Sequence, residues 1–62
     1  MTGEELLRLR TKHNLTTREL ATAIGVFQPR IVNWENNKHK ISPAYVKILT
    51  DYFNKLEKGI QP

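Results

Sequence analysis

The sequence predicts an all-α fold, a compact bundle of short helices with a helix-turn-helix inside it. Three observations carry this. Apolar residues recur at helical spacing, and no stretch reads as a strand. Two capping-box patterns, Thr2 with Glu5 and Thr16 with Glu19, each open such a stretch. Gly25 stands between two short periodic segments, where a residue tolerant of positive φ is needed to stop a helix. A chain of 62 residues makes one domain at most, read as residues 1–58 followed by a tail at 59–62.

The first helix opens at Thr2, and Glu4 and Glu5 suit the positive end of its dipole. Leu6 and Leu9 form its stripe, continued by Arg10 and His13, with Leu7 off the stripe. Arg8, Arg10 and Lys12 fall toward its end, and Asn14 suits a left-handed stop. The second helix starts near Thr17, with Leu20, Ala21 and Ile24 facing inward. At about eight residues it is too short to be stable alone, so packing must hold it. The third covers about Gln28 to Asn36, with Pro29 in its first turn, where a missing N–H costs least. At about 100° per residue, Phe27, Ile31 and Trp34 fall on one side. Gln28, Pro29, Val32, Asn33 and Asn36 fall on the other. The first set is predicted as core and the second as an exposed face. Asn36-Asn37 marks a turn, and Lys38-His39-Lys40 a basic loop. Ser42 and Pro43 open a fourth helix. Val46, Leu49, Phe53 and Leu56 point to its core side, and Tyr45, Ile48 and Tyr52 form a neighbouring, partly exposed stripe. Gly59 and Pro62 mark a frayed tail.

Residues 16–36 are the informative unit: a capped short helix, Gly25-Val26, then a second helix. Two helices joined by a short turn with glycine make a helix-turn-helix. Ala21 lets them cross closely, and Ile24, Val26, Ile31 and Trp34 fill the angle between them. The charge agrees with a nucleic-acid partner. Ten Lys and Arg stand against six Asp and Glu, a formal net charge of +4, with a pI near 9.8.

The stretch LTTRELATAIGV at residues 15–26, followed by Ile31 and by Trp34-Glu35-Asn36, resembles the Cro and phage-repressor class of helix-turn-helix domains. The resemblance spans residues 6–53. It implies a lambda-repressor-like bundle of four or five helices that binds operators as a two-fold dimer and regulates transcription. It also implies residue roles. Gln28, Pro29, Val32 and Asn33 sit where such domains read base edges. Gln28 and Asn33 can pair with adenine N6 and N7, and Val32 suits a thymine methyl group. Thr17 sits where a helix start meets phosphate, with Arg18 and Arg30 as flanking candidates. Asn36, Lys38 and Lys40 sit where the loop meets the DNA backbone. Arg10 and Glu35 match a pair that bridges the first and third helices. The chain also departs from the pattern. Phe27 replaces a capping Ser or Thr and is left to pack inward or form part of an interface. Pro29 replaces a residue that often reads a base, and Asn37 stands where Gly is common. The usual fifth helix and its dimer contacts are reduced to residues 55–62.

Several function classes are disfavoured. There is no cysteine, so disulfides and thiolate sites are excluded. His13 and His39 have no metal-site spacing, and Ser42, the only serine, is better used as a cap than in a triad. No carboxylate pair or glycine-rich phosphate loop is evident. No run is long enough for a membrane span, and the N-terminus does not read as a signal peptide. The expectation is a cytoplasmic, sequence-specific regulator that binds double-stranded DNA as a homodimer, a phage or bacterial repressor without cofactor, metal, catalytic activity or small-molecule substrate. The competing reading is a protein-interaction module, antitoxin-like or an assembly partner, using Tyr45, Ile48, Tyr52, Leu56 and Ile60. Full-length protein and excised domain are both compatible with the two ends.

Overall fold

A computed structural model describes residues 1–58. The expected tail, with Gly59, Ile60 and Pro62, lies outside the described residues. Four helices follow one another: α1 (Gly3–Lys12), α2 (Thr17–Ile24), α3 (Gln28–Glu35) and α4 (Pro43–Lys58). No strand occurs among the described residues.

The helix starts follow local chemistry. Thr2 Oγ1 accepts from the Glu5 amide at 3.1 Å, and the Glu5 carboxylate accepts from the Thr2 amide at 2.9 Å. That backbone bond holds the Glu5 carboxyl below the usual carboxylate range. Thr16 and Glu19 repeat the arrangement at 3.0 and 2.9 Å. At α4 the Ser42 carbonyl accepts from Val46, opening the helical ladder ahead of Pro43.

The first three helices end alike. Asn14 (φ 57°), Gly25 (φ 79°) and Asn37 (φ 60°) all take the left-handed conformation. The amide that follows each one reaches back five residues: Leu15 to Arg10, Val26 to Ala21, and Lys38 to Asn33. This six-to-one closure satisfies a carbonyl left open at the helix end. Glycine is needed most at Gly25, whereas asparagine tolerates the same region at the other two.

Every helix contributes to the core. Leu6, Leu20, Ala21, Ile31, Trp34, Leu49 and Phe53 are buried, with Leu9, Ile24, Val26, Tyr45, Tyr52 and Leu56 packed around them. Phe27 does not join them. It is 87% exposed, which corrects its assignment to the core side of α3. Phe27 precedes the helix as its N-cap, with extended backbone at φ −81° and ψ 146°. The 100° rotation that places Ile31 and Trp34 therefore does not apply to it. Asn36 likewise lies just past α3 as its C-cap.

Polar contacts lock α3 to α1. Arg10 Nε and Nη2 donate to the two Glu35 oxygens at 2.6 and 3.0 Å, and Arg10 Nη1 donates to the Leu15 carbonyl at 2.8 Å. Both charged side chains are largely shielded, at 14% and 9% exposure. The Glu35 hydrogen bonds push the Arg10 guanidinium to a still higher pKa. Gly3 makes the same junction possible. A Cβ there would collide with the Trp34 carbonyl oxygen and lie 2.8 Å from Asn37 Oδ1. On the other side of α1, His13 stacks on Phe53 with ring centroids 5.6 Å apart.

Candidate nucleic-acid interface

The core contacts fix which face of α3 remains outside. Ile31 and Trp34 anchor one side, and Glu35 is held by Arg10. The opposite side presents Gln28, Pro29 and Val32 to solvent, with Asn33 half-buried beside them. This is a row of amide and apolar groups with no structural hydrogen bond to another helix except at Gln28.

Gln28 Nε2 donates to Thr17 Oγ1 at 2.8 Å, joining the start of α3 to the start of α2. An exposed hydrogen bond of this kind contributes about 1 kcal/mol at most to stability. Its larger consequence is orientation. It fixes the Gln28 amide while leaving its carbonyl oxygen and second amide proton available. It also leaves the Thr17 hydroxyl proton free to donate outward.

Two hollows flank the start of α3. One, of about 600 Å³, is bordered by Phe27, Pro29, Arg30, Asn33, Trp34, His39 and Lys40. The other, of about 320 Å³, is bordered by Arg18, Ala21, Thr22, Val26, Phe27, Gln28 and Pro29. Of the sequence-predicted residues, Gln28, Pro29, Asn33, Arg18, Arg30 and Lys40 thus surround one short segment, and Thr17 is tied to it. Val32 is 37% exposed on the same helix. Asn36 and Lys38 are exposed in the turn beyond α3 and border neither hollow. Arg30 is not merely solvated: its guanidinium lies 5.5 Å from the centre of the Tyr45 ring, within cation–π range.

The six acidic residues of the chain are Glu4, Glu5, Glu19, Glu35, Asp51 and Glu57. Glu19 is used in a cap, Glu35 is paired with Arg10, Asp51 with Lys47, and Glu57 with Lys12. None lies on the outer face of α3 or in the loop that follows. Arg30, Lys38 and Lys40 therefore lie in a segment, residues 28–40, whose one acidic residue, Glu35, is already paired with Arg10. A cationic rim around an amide-rich convex helix suits a phosphate backbone carrying readable base edges.

Sequence reasoning missed three features here. The Thr17–Gln28 bond and the Arg30–Tyr45 contact join separate elements, which periodicity cannot pair. The exposure of Phe27 had one available signal, its place ahead of Pro29 at the helix entry. Among the described residues no group of three or more His, Cys, Asp or Glu is placed to hold a metal ion, and no helix is long and apolar enough to cross a membrane.

A family model described as helix-turn-helix matches residues 6–60. The chain matches none of the curated proteins and none of the solved structures.

Proposed function

The chain belongs to the helix-turn-helix family, whose members are DNA-binding regulators, and from that premise we propose that it is a sequence-specific repressor of phage or bacterial origin. The observation that supports this reading is the outer face of α3. It is positioned by the fold, carries the Gln28 and Asn33 amides and is bordered by Arg18, Arg30 and Lys40. In this reading Gln28, Pro29, Val32 and Asn33 face base edges in the major groove. Thr17, Arg18, Arg30, Asn36, Lys38 and Lys40 hold phosphates and set the register. Two copies bind a two-fold-symmetric operator in the cytoplasm, with recognition helices about 34 Å apart. The protein carries out no catalysis and takes no cofactor.

The test is enrichment of a randomised duplex library by the purified protein at about 0.15 M salt. An enriched symmetric motif is expected. Lys40→Ala should then weaken every duplex alike and lower the salt slope by about one. Failure to enrich any motif would contradict sequence-specific reading.

The protein-interaction reading has less support from the structure. Tyr45 packs on Trp34 with ring centroids 5.2 Å apart, and Tyr52 and Leu56 lie against the core. Ile48, at 42% exposure, is the large apolar residue of that surface that stands open. Ile60 lies outside the described residues.

A further inference from the structure

Phe27 is the most exposed large apolar side chain among the described residues, at 87%. It occupies the N-cap of α3, where no side-chain hydrogen bond caps the helix. A polar capping residue would stabilise that position, so an aromatic ring there has no evident benefit to the fold. Its surroundings do suggest a use. Phe27 and Pro29 border both hollows beside α3, between Arg18 on one side and Lys40 on the other. Val32, exposed at 37%, adds a third apolar group on the same helix. Phe27 and Pro29 thus share the two hollows with the Gln28 and Asn33 amides and with Arg18, Arg30 and Lys40.

In the major groove of DNA, the apolar feature of a base edge is the C5-methyl group of thymine. A ring held among base-reading amides, and flanked by cations that would grip the backbone, is placed to meet such a methyl. We infer that Phe27, backed by Pro29, is a specificity-determining residue that reads a thymine C5-methyl group in the operator. This rests on the DNA-reading role proposed above and deepens it. It assigns to Phe27 an apolar contact where a capping Ser or Thr would offer a phosphate a hydroxyl. The same methyl is displayed by 5-methylcytosine, and thymine is the source to which the inference commits.

The experiment uses the full chain and the duplex enriched from the randomised library. Each thymine of the half-site is replaced in turn by deoxyuridine, which removes the methyl and keeps base pairing. At one position the wild-type protein should bind the uracil duplex about fourfold more weakly, the effect of leaving one methyl uncovered. Phe27→Ala should bind thymine and uracil duplexes equally at that position, while Phe27→Leu keeps part of the preference. Circular dichroism should show both variants folded, since the ring is exposed. If no uracil substitution weakens binding, or if Phe27→Ala keeps the full penalty, the inference is overturned while the DNA-reading role stands. Tighter binding to a 5-methylcytosine·guanine pair than to thymine·adenine at that position would overturn thymine as the source. Absence of any enriched motif would overturn both the role and the inference.

Discussion

The two faces of α3 are built from the same eight residues but spend them differently. The inner face is fully committed: Ile31 is completely buried, Trp34 nearly so, and Glu35 is held by a two-pronged bond from Arg10. The outer face makes one hydrogen bond to another helix, from Gln28 to Thr17, and otherwise presents amides and apolar groups to solvent. With the outer face as the proposed reading surface, stability and recognition are separable on one helix. Inner substitutions should destroy the fold. Outer ones should leave it intact and change what is bound.

Trp34→Ala should have the largest effect. Removing a buried tryptophan costs about 3–5 kcal/mol, against a total stability of about 3–5 kcal/mol for a domain this small. Thermal unfolding followed by circular dichroism should show no cooperative transition near room temperature. A variant that still melts cooperatively would mean that the inner face is not what holds the bundle together. Arg10→Ala comes next. It leaves the shielded Glu35 carboxylate and the Leu15 carbonyl without their donor. Partial exposure reduces the full buried-pair penalty to about 2–3 kcal/mol, readable as a lower denaturant midpoint. Gly3→Ala forces a methyl against the backbone of Trp34 and should cost about 1–3 kcal/mol, as overpacking does.

Asn33→Ala sharpens the comparison from the other side. Asn33 is half-buried, so the variant's stability should fall by at most about 1 kcal/mol. Its affinity for the best duplex should fall by about 1–3 kcal/mol, with relaxed preference at one base pair. Unchanged preference in competition binding would remove Asn33 from the reading set.

What could be read from the chain alone divides along similar lines. Helix starts and stops were legible because they are set by near neighbours. Thr2 with Glu5, Thr16 with Glu19, and the left-handed Asn14 and Gly25 all act within a few residues of one another. The two sides of α3 were legible from its period, because Ile31 and Trp34 lie within the regular helix. Phe27 was misplaced because it lies one residue before that regularity begins. Gly3 passed unnoticed because its requirement comes from Trp34 and Asn37, more than thirty residues away in sequence. The residues of the proposed interface came from the family resemblance. Periodicity could put Gln28 and Asn33 on one face, but not tie Gln28 to Thr17 or set Arg30 over Tyr45.

The outer face of α3, and not the α4 surface, is the face proposed to meet DNA. Chemical-shift mapping by nuclear magnetic resonance tests it most directly, with labelled protein titrated by the enriched duplex, or by random-sequence duplex if no motif emerges. The largest changes are expected at Thr17, at residues 27–33 with the side-chain amides of Gln28 and Asn33, and at Lys38 and Lys40. Changes confined to Tyr45, Ile48 and Tyr52, with α3 unmoved, would contradict it.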